Sequence, residues 1–245
     1  MHKKIDHLNY RKKYFNSEFS KVNSYRLGAW QKKYLTRIKK SFLKKDFKNK
    51  ILIDIAAGHG YVSVEMAKIG LKVTALDISK ESIKNITEYK DSFILNNLKV
   101  LRSRAEKVPI ASESADYVVA NAILEHIPNE KKAINEWLMI IKPGGRLFIT
   151  VPLSLKYIWP FFWIINLVHD KRIGHLRRYD LESLTNKFGL KVLKVYYSGH
   201  FLKMIWFIVS FFIKNKKIDS LIEKIDVRKS SIKYGSSNIS VIFEK

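Results

Sequence analysis

The chain contains no cysteine, which excludes disulfides, thiolate catalysis and Cys-ligated zinc or iron–sulfur centres. Acidic residues are scarce beside basic ones: 22 Asp and Glu face 46 Lys and Arg, a formal net charge of +24. Such an excess favours an anionic neighbour (nucleic acid, anionic lipid or a phosphorylated substrate) without choosing among them. No apolar run reaches the roughly 20 residues of a membrane-spanning helix. The two longest, Tyr157–Val168 and Phe201–Ile213, hold about a dozen each. The opening Met1-His-Lys-Lys-Ile-Asp-His is polar and no apolar stretch follows closely, so it does not resemble a secretory leader; the expectation is a cytoplasmic protein. What is present is a 245-residue chain that is 47% apolar and 13% aromatic, enough for a sizeable core in one large domain, or a domain with an appendage.

The charge is concentrated at the start, where the first fifty residues carry 16 Lys and Arg against three acidic residues. Within that stretch Tyr25, Leu27, Trp30, Tyr34, Leu35, Ile38 and Phe42 recur at intervals of three and four, predicting an amphipathic helix over 24–43 with a basic, solvated opposite face. The expected organisation is a basic helical extension over 1–48 and the main domain over 49–245. In that domain short β-branched runs at 51–55, 71–76, 99–102, 116–120 and 146–151 alternate with helical patterns at 61–69, 80–88 and 129–141. Beyond Pro152 the pattern is less regular: apolar helical inserts are expected at about 155–170 and 200–225, with a helix at 181–188 and strands at 192–197 and 239–243 between and after them. Alternating strands and helices predict a doubly wound, Rossmann-like, mostly parallel sheet of seven strands, with the amino-terminal helix added and a helical insert after the fifth strand. Ligands in such sheets bind beyond the carboxyl ends of the strands, which directs attention to the loops after Ile55, Leu76 and Val119.

The first of these loops, Asp54-Ile-Ala-Ala-Gly-His-Gly, sets two glycines between a strand and a helix, where a ligand approaches backbone closely; an ordinary tight turn has the same look. Asp77 adds weight, because an acid ending the next strand, 19 residues after Gly58, can accept hydrogen bonds from both ribose hydroxyls of a nucleoside. From there the chain resembles the class I S-adenosylmethionine-dependent methyltransferases over roughly 50–152 and 174–197. The residues that carry the resemblance are the loop Asp54–Gly60, Asp77, the segment Asp116-Tyr-Val-Val-Ala-Asn-Ala-Ile-Leu-Glu-His-Ile, and Ile141-Lys-Pro-Gly-Gly-Arg-Leu. The resemblance implies S-adenosylmethionine as cofactor, with Asp54 under its methionine amino end, the Ala56–Gly60 backbone around methionine and ribose, Gly58 and Gly60 giving clearance, and the Ala120 carbonyl near the ammonium. A helix cap is the plainer reading of Asp54. A nicotinamide dehydrogenase is disfavoured, because its glycine fingerprint would need glycine at Ser63. Two departures stand out. Ala56 occupies a position where that family usually has glycine, implying a more open loop, and Arg104 stands where an acid meets the adenine amino group. Glu106 takes that role, or adenine is held by backbone and by Ile78 and Ala105.

Methyl transfer from a sulfonium is an in-line displacement that needs alignment, exclusion of water and a base for a protonated acceptor, and no metal. The candidate bases are His126, His169 and His175. Gly174-His-Leu-Arg-Arg-Tyr resembles a segment of methyltransferases acting on glycan or lipid intermediates, with His175 as base and Arg177 and Arg178 holding an acceptor phosphate or carboxylate; docking of the next helix is the alternative for Arg178 and Tyr179. The aromatic runs, flanked by lysines, suit a lipid interface, the sheet edge or a homodimer contact. The expected function is O-methylation of a small-molecule or lipid-linked acceptor, such as a glycan or isoprenoid intermediate, at an anionic membrane surface. An RNA methyltransferase and a non-catalytic methyltransferase-fold binding module stand as alternatives, the first weakened by Asn121-Ala-Ile-Leu where amino-methylating nucleic-acid enzymes carry an Asn-Pro-Pro-Tyr-like signature.

Overall fold

The computed structural model describes residues 16, 17, 20, 25–42 and 47–245. After helix α1 (Ala29–Phe42) come β1 (Ile51–Ile55), α2 (Tyr61–Lys68), β2 (Lys72–Asp77), α3 (Lys80–Ser92), β3 (Leu98–Arg102), β4 (Ala115–Asn121), α4 (Glu130–Ile140) and β5 (Ile141–Pro152). Two short 3-10 turns precede α5 (Trp163–Ile173), followed by α6 (Leu181–Phe188), β6 (Lys191–Ser198), α7 (Phe201–Val209), α8 (Lys216–Arg228) and β7 (Asn238–Glu244). The seven strands form one sheet in the order β3-β2-β1-β4-β5-β7-β6, parallel except for β7, which is antiparallel to both neighbours. Order reverses at β1, so the β1 and β4 ends open the ligand crevice. Successive strand residues feed opposite faces: Leu52, Val119 and Phe148 pack under α1, α2 and α3, while Ile53, Val118 and Ile149 pack under α4 and α6.

Three sequence expectations shift. The amphipathic helix begins at Ala29, with Tyr25 and Leu27 half-buried ahead of it, and both ends of the expected span, Ser24 and Leu43, lie outside the described residues. Its basic face is not simply solvated. Lys33 is buried between Glu223 and Asp226 of α8, 3.3 Å from Asp226, and Arg37 donates to the Tyr197 carbonyl at 3.1 Å. Although burial opposes its ionisation, the His200 hydrogen bond and the Lys33 charge hold Asp226 far below the usual carboxylate range. Finally, residues 142–145, between the expected helix at 129–141 and the expected strand at 146–151, belong to β5 and bulge from it: Ala115 pairs with Ile141 and Tyr117 with Arg146. The bulge is tied to the last residue, through Gly144 N–H to the Lys245 carbonyl and Lys245 N–H to that of Gly145. No described helix is long and apolar enough to cross a membrane.

Candidate active site

The loop leaving β1 turns sharply. Ala56, Gly58 and Gly60 take φ of 54°, 55° and 71°, and a Cβ at Gly60 would come within 2.5 Å of Ile86 Cγ1. Alanine at 56 does not open the loop outward; it adopts the left-handed conformation itself, at about 1–2 kcal/mol. Asp77, at the end of β2, accepts from Gly58 N–H and Ser79 N–H, each at 2.8 Å. Burial raises its pKa despite those bonds. It thus braces the glycine loop at the place a ribose edge would occupy. Asp54 is buried, and its Oδ2 accepts from Ser63 N–H at 3.1 Å and Ser63 Oγ at 2.6 Å, so it also secures the first turn of α2. Burial pushes its carboxyl up to about 7.

At the end of β4, Ala120 is buried, and Asn121 donates through Nδ2 to the Tyr61 hydroxyl at 2.7 Å. Its Oδ1 is enclosed without a partner among the described residues. Ala122, the next residue, is again left-handed at φ 55°. On the other side of the crevice Ile78 and Ala105 are half-buried, and the Ala105 carbonyl accepts from Trp137 Nε1 at 2.9 Å. Glu106 is paired with Arg104 at 3.1 Å, so the departure at 104 neutralises the acid proposed to meet adenine. A left-handed loop with no room for a Cβ at Gly60, a carboxylate at a ribose position and an enclosed carbonyl oxygen near an ammonium position together suit an amino-acid nucleoside.

Beside this crevice, over the ends of β5, β7 and β6, lies a cavity of about 290 Å³. His169, Asp170, His175 and Arg178 line one end. His175 Nδ1 sits 2.7 Å from Asp170 Oδ1, and its Nε2 is 3.6 Å from Glu125 Oε1. Glu125 is fully buried, and burial pushes its carboxyl up to about 8. His169 has its pKa lowered by burial and by His175. His126 is buried behind His175, its ring 4.8 Å away edge-on and its Nδ1 3.3 Å from the Gly174 carbonyl; it does not line the cavity. Arg177 turns away, donating to the Ile127 carbonyl at 2.7 Å and meeting Glu130 at 3.4 Å, so it locks the segment to the β4 loop. Arg178 reaches Asp170, Asn166 and the Leu153 carbonyl. Neither arginine meets the helix that follows: Arg177 is tied to the stretch after β4, and Arg178 to α5 and the end of β5. Sequence reading missed Asp170, Glu125 and Asn121; only Asp170, five residues before His175, offered a local signal.

The sheet order and the glycine loop braced by a ribose-position acid define a nucleoside-binding α/β enzyme fold. Residues 53–149 match the family model described as a methyltransferase domain. A ubiquinone biosynthesis O-methyltransferase of Coxiella burnetii is 29% identical over 160 residues, covering 60% of this chain and 66% of that protein, so the chain spans a little under two thirds of that relative's length. A ubiquinone/menaquinone biosynthesis C-methyltransferase of Rickettsia felis is 29% identical over 113 residues, 43% of this chain and 45% of that one. Among solved structures, geranyl diphosphate C-methyltransferase from Streptomyces coelicolor shares the fold at a TM-score of 0.70, with 10% identity and 98% of both chains covered. Residues 53–149 thus carry a methyltransferase domain, and the relatives and the shared fold support a class I S-adenosylmethionine-dependent methyltransferase.

Proposed function

We propose that the protein methylates a hydroxyl of an apolar, lipid-linked acceptor drawn from an anionic membrane surface. The observation that carries this reading is a shared wall. Phe162, Ile165 and Met204 of the α5 and α7 regions line the cavity, while the same segments turn Trp159, Phe161, Trp163, Phe211 and Phe212 outward at 41–86% exposure. An aromatic face of that kind marks an interaction surface. Exposed Lys156, Lys171, Lys214 and Lys216 border it, as suits an interfacial helix above anionic headgroups, each cation near the surface adding about 1 kcal/mol. The relatives named for ubiquinone biosynthesis support an acceptor with an apolar tail. The RNA alternative loses ground because Lys33 and Arg37 are buried and partnered within the fold.

Bound S-adenosylmethionine supplies a methyl group already activated on sulfur, which passes to the acceptor oxygen as the carbon–sulfur bond breaks. The chain aligns the two partners and manages one proton. Asp77 would hold the ribose hydroxyls, and Asn121 Oδ1 with the Ala120 carbonyl would hold the amino end. His175 Nε2 takes the acceptor proton, with Nδ1 fixed as donor by Asp170, the arrangement general-base catalysis asks of a histidine. Phe162, Ile165 and Met204 exclude water from the same end. The test is transfer of labelled methyl groups from S-adenosylmethionine into membrane lipid extract, with co-sedimentation on phosphatidylglycerol-rich and on phosphatidylcholine vesicles. Label in the organic phase and binding to the anionic vesicles, both reduced by Phe161→Ser with Phe212→Ser, are expected. Label in RNA, or no retention on anionic vesicles, overturns the reading.

A further inference from the structure

The cavity has a second polar end that methyl transfer does not use. Pro152 of β5, Asn238 of β7 and Ser198 of β6 stand in register across three neighbouring strands. At roughly 4.8 Å per strand, Ser198 lies about 10 Å along the sheet from Pro152. The His175 end sits over β5, to which Arg178 is tied through the Leu153 carbonyl. Ser198 is 1% exposed and lines the cavity, yet its Oγ has no hydrogen-bond partner among the described residues. A buried hydroxyl left in that state costs about 1–3 kcal/mol, so its natural complement is whatever fills the cavity.

Its neighbours are already engaged. Lys33 is held by Glu223 and Asp226, Lys203 by Glu223 and Asp219, and Asn238 donates to Ser237 Oγ at 3.0 Å. The turn is held in place, with Gly199 N–H and His200 N–H donating to Asp226 at 3.0 and 2.9 Å. Charge is balanced at this end: Lys33, Lys203 and Arg37 face Asp219, Glu223 and Asp226. A carboxylate or phosphate would find no surplus cation, whereas a neutral oxygen substituent would find a donor and an acceptor.

We infer that Ser198 is a distal anchor for the acceptor, binding a neutral hydroxyl or carbonyl carried on the side of its head group opposite the methylated hydroxyl, as a six-membered ring with two such oxygens would present them. The inference rests on the acceptor reading above. A ring with oxygens at positions 1 and 4 spans about 5.5 Å, and a hydrogen bond at each end adds about 3 Å, a reach comparable with the roughly 10 Å from Ser198 across to β5. The cavity also exceeds the roughly 150 Å³ that holds benzene alone.

The test compares a long-chain 2-alkylphenol with the matching 2-alkylhydroquinone, titrated anaerobically by calorimetry into the full chain saturated with S-adenosylhomocysteine. The wild type should bind the hydroquinone about tenfold more tightly. Ser198→Ala should bring that ratio close to one, and Ser198→Thr should restore it, with S-adenosylhomocysteine affinity unchanged in both as the check on folding. Equal binding of the two probes by the wild type, or a preference that survives Ser198→Ala, overturns the anchor alone. Binding of neither probe by protein that still binds S-adenosylhomocysteine overturns the acceptor reading, and the anchor with it.

Discussion

Asp170 and His175 meet through Oδ1 and Nδ1 at 2.7 Å, and Arg178 grips the same carboxylate at 2.6 and 2.9 Å. Although burial opposes it, the hydrogen bonds from His175 and Arg178 hold the Asp170 carboxyl below the usual range, so it stays ionised and fixes the imidazole tautomer. The expected outcome of Asp170→Asn is a fall in kcat of about a hundredfold, near the lower end of what general-base catalysis contributes. His175→Ala should cost at least as much. S-adenosylhomocysteine affinity, read by calorimetry, should stay within about twofold in both, because neither side chain borders the cofactor crevice. Full turnover in His175→Ala would remove it as the base.

Asp54 should release a proton when the cofactor binds. Its carboxyl is pushed up to about 7 by burial, so near pH 6.5 much of it is protonated in the free protein. The cationic amino end of S-adenosylmethionine favours the carboxylate. Affinity should therefore rise as pH increases from about 6 to 8, and calorimetry in two buffers of different ionisation enthalpy should show about three-quarters of a proton released near pH 6.5. The stability effect has a fixed sign: a raised folded pKa favours the folded free protein below its unfolded value near 3.8, and that contribution disappears as pH climbs through about 7. Asp54→Asn should abolish the proton release.

Asp77→Ala removes two things at once, the ribose acceptors and the brace on Gly58 N–H. Two hydrogen bonds to a charged group are worth about 1.5–3 kcal/mol each, so S-adenosylhomocysteine should bind at least a hundredfold more weakly. Unchanged affinity would disprove the cofactor site.

The half of the protein built from parallel βα units was legible in the sequence because each unit announces itself locally: the 51–55 run, the glycine loop and Asp77 sit within thirty residues of one another. Strand 239–243 was legible too, but nothing local tells that it inserts between β5 and β6 in antiparallel sense; that follows from where the long α7–α8 excursion leaves the chain. The fate of Lys33 and Arg37 was hidden for a related reason, since a basic helix face looks solvated until Glu223 and Asp226, nearly two hundred residues away, close over it. At the site, His175 stood out as a residue type at a motif, whereas Arg177 looked equally functional and proved to be a tie to Ile127 and Glu130. Charge alone does not tell a ligand-binding guanidinium from one satisfying carbonyls. Ser198 was invisible, because an unpartnered hydroxyl is a property of packing.

Ala56 offers a separation of strain from function. It holds φ 54° in the loop where its neighbours Gly58 and Gly60 are also left-handed, and a Cβ in that region costs about 1–2 kcal/mol. Replacing it by glycine relieves that strain but frees the unfolded chain, a loss of about 0.4–1 kcal/mol. The first effect is the larger, so Ala56→Gly should stabilise the protein by up to about 1 kcal/mol and raise Tm by a few degrees for a chain of this size. Cofactor affinity should hold within about twofold, because the backbone already follows the path glycine would take. Lower stability in Ala56→Gly would mean that the Ala56 methyl makes packing contacts worth more than the strain it imposes, and that this chain has adapted its loop to alanine.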